Sequence, residues 1–215
     1  MFNAALFDAE IDKLLQQGKT QEAEKRLLRA YLDLKEAGGV DNFEYVISRL
    51  ASYYSMPDSE DLKKAESYFL EREAVSCSAY AKTQTAMFYF YIAQEPQKTI
   101  AKVDEIRDRK GDVSSYYTSL ALKGHALLKL EMIAEANKVL TELLILISAT
   151  PSGLPLGDEM NLLEAAMEKS LLASNVREIL KLILPKIRTK EYRARAEALL
   201  KSENLGNRSG PWRRA

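Results

Sequence analysis

The chain has 215 residues, 47% of them hydrophobic and 29% charged, with a formal net charge of zero. That balance fits a soluble globular chain and excludes a disordered one, and the length suits one domain or a short repeat array. Only nine Gly and six Pro punctuate it, which favours long helices over many short strands. Its single cysteine, Cys77, excludes an intramolecular disulfide and suits a reducing compartment.

In the first segment Leu6, Phe7, Ile11, Leu14 and Leu15 recur at three- and four-residue steps, one apolar stripe of a helix that Gly18 ends. Thr20 is placed to cap a second helix, with the stripe Ala23, Leu27, Ala30, Tyr31 and Leu34, closed by Gly38 and Gly39. Two helices joined by a few residues pack antiparallel. The unit returns at residues 42–55 and 60–75, and again at 78–93 and 96–109, where Pro96 opens a helix. A fourth pair spans 113–130 and 133–148, and a fifth spans 158–173 and 175–188, with 190–203 as a capping helix. Residues 150–157 hold two prolines and two glycines and read as a loop. No segment reads as a strand.

The segment Leu14-Leu15-Gln16-Gln17-Gly18, then Glu22-Ala23, Leu27 and Ala30, resembles the tetratricopeptide repeat (TPR), whose two-helix unit repeats every ~34 residues. Gly124, Leu127, Glu135-Ala136 and Leu140 fall in the same register. Aligning Ala23, Ala65, Thr99, Ala136 and Ile179 gives steps of 42, 34, 37 and 43 residues, so the loops vary and the array is divergent. The resemblance implies an all-α, right-handed solenoid of antiparallel helix pairs, about five plus the capping helix. It also implies a single domain over 1–203, followed by a flexible basic tail over 204–215.

Nothing in the sequence forms a catalytic or metal-binding signature. His125 is the only histidine, and neither a nucleophile elbow, a zinc motif, an EF-hand loop nor a phosphate-binding glycine loop occurs. Cys77 stands near a helix start without a motif partner and reads as an inert small residue. No cofactor and no enzymatic activity are expected. The first residues carry Asp8, Glu10 and Asp12, so neither a secretory signal nor a membrane span is expected, and the cytoplasm is the default compartment.

In such a repeat array the first helix of each pair lines a concave side. The resemblance therefore implies a groove at Asp12, Tyr45, Arg49, Gln84, Phe88, Tyr91, His125 and Lys129, with Asp8, Gln16, Ser48, Ser52 and Thr118 on the same faces. Four consecutive aromatics, Phe88 to Tyr91, cannot share one helix face. Tyr89 and Phe90 read as core, whereas Phe88 and Tyr91 read either as core or as groove anchors. One class of these repeats grips the C-terminal carboxylate of heat-shock chaperones with Lys, Asn and Arg. The corresponding positions here are Asp8, Asp12, Arg49, Ala81 and Thr85, and the two acids would repel a carboxylate.

The expected role is a protein-interaction scaffold that takes a peptide or helix of a partner protein. The alternative is a nucleic-acid-associated repeat protein. Residues 181–215 hold ten Lys/Arg against three Asp/Glu, including Arg188, Lys190, Arg193 and Arg195, and leave −7 on residues 1–180.

Overall fold

The computed structural model describes residues 2–106, 112–149, 157–169 and 172–201. Every regular element among them is helical: α1 (Ala4–Gln16), α2 (Thr20–Ala37), α3 (Val40–Tyr54), α4 (Leu62–Ser76), α5 (Ala79–Met87), α6 (Pro96–Asp104), α7 (Val113–Lys129), α8 (Ile133–Ala149), α9 (Gly157–Met167), α10 (Ala173–Ile183) and α11 (Lys190–Lys201). The described residues fall into two compact units, one drawn from Met1–Glu95 and Glu105–Arg107, the other from Pro96–Asp104 and Asp108–Ala215.

In the first unit α1 to α4 each pack on the next helix in the chain, and short connections make neighbours antiparallel. Alternate helices touch as well. Arg49 of α3 bonds Asp12 of α1, while Tyr31 of α2 meets Tyr68 and Glu71 of α4. First helices thus lie against first helices and second against second, the TPR-like arrangement. The core runs through Phe7, Ile11, Leu27, Val46, Leu50 and Ala65, all buried. Asn3, Asp61 and Ser78 cap α1, α4 and α5 by accepting a backbone N–H three residues on. Gly18 and Gly38 hold φ of +70° and +73°, the left-handed turn that ends a helix at low cost only with glycine. Thr20 does not cap α2. It is the first helical residue, and Lys19 precedes it without a side-chain bond.

The second unit repeats the scheme. α7 packs on α6, α8 and α9, α8 packs on α10, and α11 closes against α9 and α10. Some ends differ from the sequence expectation. α9 stops at Met167 because the Lys169 N–H bonds the Ala166 carbonyl in a tight turn. α10 tightens into a 3-10 turn over Leu184–Lys186, where Pro185 supplies no N–H to continue an α-helix. The expected tail, 204–215, lies outside the described residues.

The five positions aligned from the sequence, Ala23, Ala65, Thr99, Ala136 and Ile179, are all buried at 1% exposure or less. The alanines at three of them let helix backbones close on each other. Gly124 shows the limit: a Cβ at that position would stand 2.7 Å from a Leu162 methyl of α9. Leu162 is itself fully buried and has nowhere to go. Gly124→Val is expected to lower stability by about 1–3 kcal/mol through overpacking, read by thermal or denaturant melting. A variant that melts like the parent would show that α7 and α9 separate easily.

Candidate functional site

Four of the predicted groove residues come together on α1 and α3. Arg49 bonds Asp8 at 3.1 Å and Asp12 at 2.8 Å, and the Tyr45 hydroxyl donates to Asp8. Residues 8 and 12 lie one turn apart on α1, as do 45 and 49 on α3, so helical spacing puts each pair on one face and the packing of α1 on α3 joins them. Burial, then the Asp8 hydrogen bond, raises the Tyr45 pKa to about 12. Two carboxylates against one guanidinium leave this cluster net negative.

The next predicted residues line a pocket of about 260 Å³ in the same unit. Ser52, Ser55, Gln84 and Tyr91 contribute polar groups, and Phe69, Met87, Phe88 and Ile92 give it an apolar lining. Arg49 and Ser52 are three apart on α3, so the pocket lies one turn from the acidic cluster. The Gln84 side-chain nitrogen reaches the Met87 sulfur at 3.5 Å, and no oxygen acceptor binds it among the described residues.

The aromatic run departs from the expectation of a regular helix. Residues Phe88–Ile92 form a π-turn, in which the Ala93 N–H bonds the Phe88 carbonyl five residues back at 3.0 Å. The wider turn spreads Phe88 and Tyr91 further around the axis than α-helical spacing would, though both still border the pocket. Phe88 is 3% exposed and stacks on Phe69 with centroids 4.9 Å apart, whereas Tyr91 is 44% exposed. Of the two readings left open, core or groove anchor, Phe88 is buried as core and lines the pocket as a wall, whereas Tyr91 is exposed. Tyr89 and Phe90 are core as expected, and the Tyr89 hydroxyl donates to Glu66. Ala81 and Thr85, two positions of the carboxylate-gripping pattern, are buried, and the Thr85 hydroxyl donates to the Ala81 carbonyl.

His125 and Lys129 belong to the second unit. Lys129 is exposed. His125 is mostly buried and hydrogen-bonds the Asp158 backbone; burial lowers its pKa below the ordinary histidine value, and Asp158 partly offsets this. Thr118, on the same helix, donates at 3.4 Å to Glu159, a residue with no role in the sequence reading. Glu159 is 3% exposed, and burial raises its carboxyl to about 7. An acid in the first turn of a helix ordinarily faces solvent and the helix dipole, so sequence alone gives no signal of this burial. Cys77 ends α4 at φ +51° and is exposed, and it stands near a helix start as expected, one residue before the Ser78 cap of α5.

In the basic segment, Arg195 is bound to Glu164 and Asn161, and Arg193 donates to the Ile187 carbonyl. Arg188 and Lys190 remain exposed. Among the described residues no three His, Cys, Asp or Glu side chains gather to hold a metal ion, and no helix is long and apolar enough to cross a membrane.

No family model matches this chain. No curated protein matches it either. Among solved structures it is similar to the crystal structure of PilW, a widely conserved type IV pilus biogenesis factor, at 15% identity, over 94% of each chain, with a TM-score of 0.46.

Proposed function

We propose that this chain is a non-enzymatic protein-interaction scaffold that binds a peptide or helix segment of a partner on the faces of its first helices. The pocket between α3 and α5 carries the reading. It is concave and apolar-walled, and it collects Ser52, Gln84, Phe88 and Tyr91 from positions that the repeat register assigns to a binding face. Asp12, Tyr45 and Arg49 extend that face by one turn, and His125 and Lys129 supply the corresponding positions of the second unit. The domain limits are proposed with it: one array over 1–203 and a dispensable tail over 204–215. A nucleic-acid role gains little from the basic segment, since Arg195 is already paired with a carboxylate.

The test is affinity capture from cell extract on the immobilised full chain, with a Gln84→Ala, Tyr91→Ala double variant alongside. Both side chains are partly or well exposed, so the variant is expected to melt within a few degrees of the parent. A partner held by the parent is expected to bind the variant at least tenfold more weakly, about 1.4 kcal/mol. Equal retention on a folded variant would move the site off this face.

A further inference from the structure

The pocket described above fixes more than the presence of a site; its lining and its surroundings restrict what can enter. Resting on the scaffold reading, we infer that it takes a large apolar side chain from an extended, positively charged peptide segment of another protein.

Three observations carry this. The first is the lining. Phe69 and Phe88 stack on each other with centroids 4.9 Å apart and line the pocket, and Met87, a flexible and polarisable side chain, lines it with them. Tyr91 and Ile92, 44% and 41% exposed, stand at the mouth, where an entering side chain would cover apolar surface now in water. The second is the rim. The Ser52 hydroxyl is exposed, and the Gln84 amide nitrogen meets only a sulfur at 3.5 Å among the described residues. A helix satisfies its own backbone groups, whereas an extended segment brings unpaired N–H and C=O groups to the surface it crosses. An amide and a hydroxyl beside an apolar hole suit the extended form. The third is charge. Residues 1–95 hold eleven Lys/Arg against sixteen Asp/Glu, a net −5. One turn from the pocket, Asp8 and Asp12 share the single cation Arg49. A field of that sign draws a cationic segment and repels an acidic one.

The experiment is phage selection of a random twelve-residue peptide library on the intact chain, run in parallel on Ser52→Trp and Gln84→Ala chains. Ser52 is exposed, so a tryptophan there fills the pocket mouth without invading the core. Folding of each variant is checked by melting, and Gln84→Ala serves if Ser52→Trp does not fold. The expected outcome is enrichment of peptides carrying one large apolar residue with two or more Lys/Arg. Their synthetic versions should bind at least tenfold more weakly to the folded variant, and more weakly as salt rises. Enrichment of neutral or acidic peptides that still require the open pocket would sink the charge assignment and leave the scaffold reading standing. Peptides that bind the blocked chain as well as the parent would overturn both, as would a selection that enriches nothing.

Discussion

Phe88→Ala is expected to cost about 3–5 kcal/mol, the range for removing a buried aromatic, and to unfold much of the first unit near room temperature. The ring is 3% exposed, stacks on Phe69 and lies 5.5 Å from Tyr89. Its loss removes one side of two aromatic contacts and leaves a cavity that the neighbouring helices cannot close without breaking other packing. Tyr91→Ala, three residues on, is expected to change stability by about 1 kcal/mol or less, because that ring stands at the surface. Denaturant melts of the two variants read the contrast directly. Equal, small losses would mean that the π-turn does not separate the two faces.

A rise in stability is expected from Glu159→Gln, and only at neutral and alkaline pH. The buried carboxyl titrates near 7 in the folded chain against 4.5 as a free side chain, because burial disfavours its charged form; Asp158 adds to that, while its own backbone and Thr118 act the other way. Between those two values the native state binds more protons than the unfolded one. Folding stability therefore falls as pH rises from about 4.5 to about 7, by roughly 3 kcal/mol in all, and stays low above that. Glutamine keeps the shape and never ionises. At pH 8 the variant is expected to be more stable by about 3 kcal/mol, a melting shift of roughly 6–12 °C, and at pH 4.5 to match the parent. His125 works in the opposite sense: its lowered pKa removes stability as pH falls below the ordinary histidine range. The difference between variant and parent cancels that contribution and isolates Glu159. A variant whose pH profile parallels the parent's would mean that the carboxyl is solvated.

The helices and their small contact positions were legible because both are local patterns. Leu6 to Leu15 repeat at helical spacing, Gly18 and Gly38 need φ values that other residues adopt at a cost, and Ala23, Ala65 and Ala136 repeat where only small side chains fit. Such signals act over a few residues and leave their record in the order of the chain. The Asp8–Arg49–Asp12 network was half legible: helical spacing put each member on the right face, but the pairing across helices needed the fold. Thr20 misled because its residue type suits a cap, while the chain enters α2 one residue earlier.

What the sequence alone determined was the all-α class, the succession of helices and the buried positions that recur along it. Tertiary structure alone decided the fates of Phe88 and Glu159. Both follow from packing between elements that lie far apart in the chain. Phe88 is buried because Phe69 of α4 stacks on it, and the π-turn that begins at Phe88 leaves Tyr91 exposed. Glu159 is buried because α9 sets its first turn against α7, under Thr118. A residue's burial is set by the neighbours that arrive from elsewhere, and no spacing within its own helix records them.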